Sequence, residues 1–199
     1  MRIAVFGASG RTGRQVVEQA LERGHDVTAF VRDRSKLGVE HERLRVVEGD
    51  ARDRDAAATA LDDAEAAISV LALMSPDREP EHSEATGTIV GAAEEAGVRR
   101  IVVTANNDVL SDRELTGEYA AMGREHRRNR ATLEASGLDW TIGASPRVTD
   151  DPPTGAYEAV PDAKGPGKRL GAADFATFTL DALGRDDWVG HVVGVSAPA

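Results

Sequence analysis

Short apolar runs alternate with amphipathic stretches through the first two-thirds of the chain. Arg2-Ile3-Ala4-Val5-Phe6 reads as a buried strand, and Gln15 to Arg23 carries Val16, Val17, Ala20 and Leu21 at helical spacing before a glycine stop at Gly24. The same two patterns predict strands at 26–31, 44–48, 66–71, 100–104 and 138–142, with helices over 53–61, 84–97 and 118–136. Repeated strand–helix–strand units require a parallel sheet with right-handed crossovers. The expected fold class is therefore α/β, a doubly wound parallel sheet in three layers, forming one domain over 1–199.

The pattern changes between Ser145 and Lys168. Five of the eight prolines (Pro146, Pro152, Pro153, Pro161 and Pro166) fall there, so the segment is expected to be an irregular excursion with short strands. It follows the sixth strand at the carboxyl edge of the sheet, where ligands sit in this architecture, and is read as a pocket wall in preference to a lid or a plain connection. A helix over 173–183 and a strand near 192–195 close the pattern.

The junction after the first strand carries the clearest chemistry. Gly7-Ala8-Ser9-Gly10-Arg11-Thr12-Gly13 sits between strand and helix and reads as a phosphate cradle. Gly7 permits the tight turn, Gly10 lets the backbone approach a pyrophosphate, and Gly13 removes bulk where helix meets sheet, while free amides at the helix start face the anion. Arg32 follows the second strand, where an acidic residue would accept the ribose 2′-hydroxyl of NAD and an arginine suits the 2′-phosphate of NADP. NADP is therefore the expected cofactor, NADPH preferred over NADH. Arg11, Arg34 and Lys36 are candidates to add positive charge there, the alternative being solvated surface charges, and Asp33 would repel a phosphate unless turned away. The G-x-x-G-x-x-G spacing resembles that of the short-chain dehydrogenase/reductase superfamily, and the resemblance implies that Asp50, with Ala51 leaving room for the ring, contacts the adenine; a helix cap is the alternative for Asp50. Leu71 and Ala72, Thr104 and Ala105, and Ser145 and Pro146 complete the expected cofactor-binding set.

Composition narrows the setting. With no cysteine, disulfides, thiolate catalysis and zinc–thiolate sites are excluded. His41-Glu42 begins like a zinc-protease motif but no second histidine follows at the required spacing, so no metal is expected. A net charge of −10 argues against nucleic acid as a partner. No secretory leader pattern precedes the first strand, and no apolar run approaches the roughly 18 residues a membrane span needs. A soluble cytoplasmic protein, monomer or homodimer, is expected. The basic residues are 21 Arg against 3 Lys, a skew compatible with either a GC-rich genome or a salt-adapted host.

The usual proton-donating pair of short-chain reductases, a tyrosine with a lysine four residues later, is not encoded. Tyr119 is followed at that spacing by Gly123, and Tyr157 by Pro161. The G-x-x-G-x-x-G loop, Val31-Arg32-Asp33, His126, Ser136-Gly137-Leu138-Asp139-Trp140, Pro152-Pro153-Thr154-Gly155-Ala156-Tyr157 and Ala173-Asp174-Phe175-Ala176 nevertheless run in order along nearly the whole chain. In these stretches the sequence resembles the atypical short-chain dehydrogenases/reductases similar to biliverdin-IXβ reductase/flavin reductase, within the broader NmrA-like NAD(P)H-binding set. The resemblance implies a Rossmann domain and NADPH-dependent reduction of flavins, quinones or linear tetrapyrroles. Such a conjugated small-molecule acceptor delocalises its product anion, which agrees with the missing pair.

Two places depart from the family. Asn106 stands where the resemblance implies a serine, and is the candidate catalytic residue, an amide that orients an acceptor. Gly143-Ala144-Ser145-Pro146-Arg147 replaces a bulkier stretch at the pocket floor. His126, beside Arg124, Arg127 and Arg128, is read as lying on a solvated helix face; Asp108 either relays protons or caps a turn; Trp140 is read as core. The favoured function is an NADPH-dependent oxidoreductase. The alternatives are an NADP(H)-sensing regulatory protein of the NmrA-like kind and, more weakly, a sugar-nucleotide epimerase or dehydratase.

Overall fold

In the computed structural model, which describes residues 1–72, 76–111 and 116–199, ten strands and five α-helices alternate along the chain. They are β1 (Arg2–Phe6), α1 (Arg11–Glu22), β2 (Asp26–Val31), β3 (Leu44–Glu48), α2 (Arg54–Leu61), β4 (Ala66–Ser69), α3 (Glu81–Ala96), β5 (Arg100–Asn106), α4 (Ala120–Ala135), β6 (Asp139–Ser145), β7 (Arg147–Thr149), β8 (Glu158–Pro161), β9 (Arg169–Gly171), α5 (Ala172–Ala182) and β10 (His191–Ser196). The main sheet runs β3-β2-β1-β4-β5-β6-β10-β8. Every neighbouring pair is parallel except β10 with β8. The strand order reverses beside β1, so a crevice opens at the carboxyl ends of β1 and β4, the place where such sheets bind ligands.

Both faces of the sheet are covered, which is why its strands read as unbroken apolar runs and not as alternations. Ile3 and Val5 of β1 point to the side packed by α1 and α5, and Ala4 and Phe6 to the side packed by α2, α3 and α4. Phe6 and Phe30 meet at 5.1 Å on the second side, and Phe178 stacks between Phe175 and Trp188 on the first. Trp140 is core, as its apolar strand implies. No helix among the described residues is long and apolar enough to cross a membrane.

Three details set up the site. β4 ends at Ser69, short of the expected Leu71: Val70 still donates its N–H to Phe6 O at 3.0 Å, after which Leu71 and Ala72 leave the ladder and turn into the crevice. β6 continues to Ser145, beyond the expected Ile142, pairing Asn106 with Ser145 at the end of β5. The proline-rich excursion divides. Its first residues form β7, which pairs with β9 in a separate parallel ribbon, while β8 crosses to the outer edge of the main sheet, where Pro161 costs no ladder bond on the solvent side. Buried Asp174 at the start of α5 holds the bend between them, accepting from Thr154 N at 3.1 Å, Thr154 Oγ1 at 2.8 Å and Gly155 N at 3.0 Å.

Candidate functional site

The glycine loop is fixed by close backbone contacts. Gly7 has φ +80°, a left-handed conformation, and a Cβ there would lie 3.0 Å from Val70 O. A Cβ on Gly13 would stand 2.1 Å from Gly7 O, so the first helical turn could not close against the loop. Gly10 is the N-cap of α1; it offers no side-chain cap to the first-turn amides, and no acidic residue occupies that turn. An uncapped helix start beside an open crevice is an anion site in waiting.

Two cavities meet at this loop, sharing Gly10, Val70, Leu71 and Ala72. The smaller, about 300 Å³, is lined on one side by Gly7, Ser9 and Arg32 and on the other by Asp50 and Ala51. Arg32 is exposed and, among the described residues, has no hydrogen-bonding or ion-pair partner. Asp33 is turned into its own loop, accepting from Ser35 N at 3.0 Å and Ser35 Oγ at 2.6 Å, with Lys36 paired to it at 3.5 Å. Asp50 does not cap α2; Asp53 does, accepting from Asp55 N at 2.9 Å. Asp50 instead grips Arg52, whose hydrogen bonds hold its carboxyl down to about 2.

Arg52, Arg78, Glu81 and His82 also line this cavity and were not anticipated. Arg52 lies two residues beyond Asp50; Glu81 and His82 open α3 and Arg78 ends the short 3₁₀ turn before it, a stretch that nothing in the sequence pattern ties to the crevice. Both arginines are committed elsewhere, Arg52 to Asp50 at 2.7 Å and Arg78 to Glu81 at 2.6 Å. Among the described residues, Arg32 is thus the cation of this cavity without an ion-pair partner.

The larger cavity, about 1170 Å³, is lined by Thr12, Thr104, Ala105, Asn106, Ser145 and Pro146 among others. Among the described residues, Ser145 Oγ and Asn107 Oδ1 are buried with no partner here, as expected of a site that satisfies a polar ligand. Two expectations are corrected. Arg11 faces this cavity and not the 2′-phosphate end, because Asp150 at 2.9 Å and the carbonyl of Val148 at 2.9 Å draw its guanidinium toward the β7 segment. Arg34 lines neither cavity: it opens a short 3₁₀ turn capped by Asp33, with its N–H donated to Glu48 Oε2 at 3.0 Å. Of the excursion, Ser145, Pro146, Arg147 and Val148 wall the larger cavity, while the rest lines neither cavity.

The catalytic candidates are also rearranged. Asn106 lines the cavity, but its Nδ2 donates to Met122 Sδ at 2.9 Å. Tyr119 is 56% exposed at the cavity rim. Tyr157 lies outside both cavities, donating to Asp181 at 2.8 Å, with burial and that carboxylate pushing its pKa well up. His126 is not on a solvated face. On α4 the exposed arginines Arg124 and Arg128 reach out to Glu79, while Met122 and His126, one turn apart, turn inward to the cavity. Its Nδ1 lies 3.1 Å and 3.3 Å from the two carboxylate oxygens of Asp108. Asp108 does not cap the 3₁₀ turn after β5, whose N-cap is Asn106; its carboxylate goes to His126.

Behind this pair, the His82 ring meets His126 edge-on at 5.9 Å, and Asn129 donates to His82 at 3.3 Å. Burial, with His126 adding to it, holds His82 down to about 4, so it is neutral near pH 7.

Residues 7–186 match the model of the family described as NAD(P)H-binding. The chain is 27% identical to the uncharacterized protein YwnB of Bacillus subtilis (strain 168), over 92% of each chain. Its fold is similar to that of a short-chain dehydrogenase/reductase from Veillonella parvula DSM 2008 solved in complex with NADP (TM-score 0.84, 19% identity, covering 100% of this chain and 95% of that one). It is similar again to a Streptococcus pneumoniae TIGR4 protein provisionally assigned as an NADH-flavin reductase (TM-score 0.83, 21% identity, 100% of both chains). The chain belongs to the NAD(P)H-binding family, in keeping with the atypical short-chain reductase resemblance carried by its motifs.

Proposed function

We propose that the protein is an NADPH-dependent oxidoreductase acting on a flavin, quinone or similar conjugated acceptor. The observation that carries this reading is the pair of cavities joined at the glycine loop, one fitted to an adenosine phosphate and the other roomy enough for a nicotinamide with an acceptor over it. Family membership supports the cofactor class. The NADP of the Veillonella structure and the flavin-reductase assignment of the Streptococcus protein support the finer choices.

When bound, the cofactor supplies a hydride. The chain's own residues do the rest. The first-turn amides of α1 hold the pyrophosphate, Arg32 meets the 2′-phosphate, and Leu71 and Ala72 wall the passage between the cavities. Ser145 Oγ and Asn107 Oδ1 are polar groups free to receive the carboxamide or the acceptor, and Asn106 with Met122 shapes the acceptor floor.

The test is oxidation of NADPH, followed at its near-ultraviolet band, against a panel of FMN, riboflavin and substituted quinones. Acceptor-dependent turnover is expected. NADPH binding without turnover on any acceptor would refute the oxidoreductase reading and favour a cofactor-sensing role.

A further inference from the structure

We propose that Asp108 and His126 form a proton-delivery pair serving the acceptor cavity, with His126 giving the proton from Nε2 and Asp108 positioning its ring. The inference rests on the oxidoreductase reading above and adds to it the group that completes the reduction.

The geometry carries the argument. The side chains of His126 and Asp108 are only 7% and 8% exposed, yet both line the larger cavity. Burying an imidazole and a carboxylate together is costly and contributes little to stability, so such a pair at a cavity wall points to chemistry. Asp108 holds Nδ1, which places the remaining ring nitrogen, Nε2, as the one free to exchange a proton. The arrangement is that of a histidine oriented by a carboxylate, in which the carboxylate keeps the tautomer and stabilises the imidazolium.

The surrounding groups leave this role to His126. On α3, His82 is held neutral by burial, and so does not repel a charge on its neighbour. On α4, Glu125 is turned to Ser83 and Arg128, Arg130 to Glu134 and the carbonyl of Val109, and Arg124 to Glu79; Arg127, half-buried with Nη1 unpartnered among the described residues, does not line the cavity. Elsewhere on the cavity wall, Arg11 is paired with Asp150 and Arg147 is exposed. The amide of Asn106 has no proton to give at neutral pH, Tyr119 sits at the rim, and Tyr157 is outside the cavity.

The step balances. A neutral acceptor that takes a hydride becomes an anion. Its oxygen then forms an O–H bond as the Nε2–H bond of the imidazolium breaks, leaving neutral His126 to be reprotonated from solvent through the open cavity. An acceptor that is already cationic ends neutral on taking a hydride and needs no proton. This contrast separates a proton donor from a residue that merely shapes the site.

The experiment compares the parent protein with His126→Gln and Asp108→Asn, using 1,4-naphthoquinone as the neutral acceptor and N-methylphenazinium as the cationic one, with the uncatalysed background subtracted. His126→Gln is expected to lower kcat for the quinone by roughly a hundredfold, the usual scale of general acid catalysis. Phenazinium reduction and the NADPH dissociation constant should stay within about twofold. The fall of the quinone rate at high pH, present in the parent, should vanish in the variant. Added imidazole should restore part of the quinone rate to His126→Ala.

Independently of turnover, nitrogen-15 NMR of the cofactor-free protein should find the neutral ring of His126 protonated at Nδ1 in the parent and in mixed tautomers in Asp108→Asn. A parent ring protonated at Nε2 overturns the assignment even if the variants do not fold. Equal loss with both acceptors, or quinone turnover within twofold of the parent, overturns it too. Phenazinium reduction with no neutral acceptor reduced overturns the pair and spares the oxidoreductase reading; NADPH binding with neither acceptor reduced refutes both.

Discussion

Arg32→Glu probes the choice of dinucleotide. Arg32 stands just beyond the end of β2 in the wall of the smaller cavity; its charge is felt by Asp50, but no described residue is hydrogen-bonded or ion-paired to it. Two unit charges 4 Å apart interact by about 4 kcal/mol at an effective dielectric near 20, but Arg32 is exposed, and screening brings a single contact to roughly 1–3 kcal/mol. The neighbouring arginines cannot make good the loss: Arg52 is clamped by Asp50 and Glu81, and Arg78 by Glu81. Glutamate would add a second carboxylate near Asp50, repelling the 2′-phosphate. At about 1.4 kcal/mol per factor of ten, NADPH should bind between about 5-fold and 150-fold more weakly to the variant.

NADH lacks the 2′-phosphate and should change little. Calorimetric titration of both cofactors into both proteins measures the four constants directly. The parental preference for NADPH should also shrink as salt rises from 50 mM to 500 mM, since an exposed contact is screened over a Debye length of about 10 Å at 0.1 M. Equal affinity of the parent for the two cofactors, or an Arg32→Glu protein that binds NADPH as the parent does, would refute the assignment of Arg32 to the phosphate.

Gly10→Val should abolish NADPH binding while the fold survives: Gly10 has φ −73°, which valine adopts, and its Cβ would sit 3.2 Å from Gly7 O, so the loop yields by a few tenths of an ångström but the branched side chain fills the junction of the cavities. Unchanged affinity in calorimetry, with an unchanged circular dichroism spectrum, would place the cradle elsewhere. His82 makes stability depend on pH, because its folded-state pKa of about 4 lies below the ordinary 6.5. The unfolded chain therefore binds the proton first, and stability falls as pH drops from about 6.5 to 4, by up to ~3 kcal/mol. Thermal melts of the parent and His82→Gln between pH 7 and 4.5 should converge as pH falls; parallel curves would refute this.

Much of the fold was legible because its physics is local. Strands buried on both faces appear as continuous apolar runs, and the helices announce themselves by spacing and by stops such as Gly97, which is left-handed at φ +73°. What escaped depends on contacts distant in sequence. Nothing around Leu71 says that the β4 ladder ends at Ser69, since that is decided by where β1 ends beside it. Nor does the proline-rich stretch say that Glu158–Pro161 will travel to the outer edge of the sheet, because β8 owes its place to β10, some thirty residues later.

The site follows the same division. Glycines that must be glycine for steric reasons leave a mark that survives in one sequence, and Gly7 and Gly13 do so. Side chains acting across elements leave none. Arg11 in the glycine loop and Arg34 just beyond Arg32 carry the right charge for the same phosphate, yet Asp150 and the turn at Asp33 send them elsewhere. His126 shows the reverse case. Its flanking arginines suggest a solvated face, but a helix has room for both: Arg124 and Arg128 lie outward on Glu79, and the four-residue step from Met122 to His126 runs along the inner face. The Asp108 carboxylate that meets it comes from the turn after β5, the strand end where the acceptor floor begins. A doubly wound sheet delivers its strand ends to one edge, so a residue just past β5 and a residue on the helix leading into β6 are brought together by topology alone. Proton chemistry missing from the Tyr–Lys motif can therefore be supplied by a pair that is never adjacent in the chain.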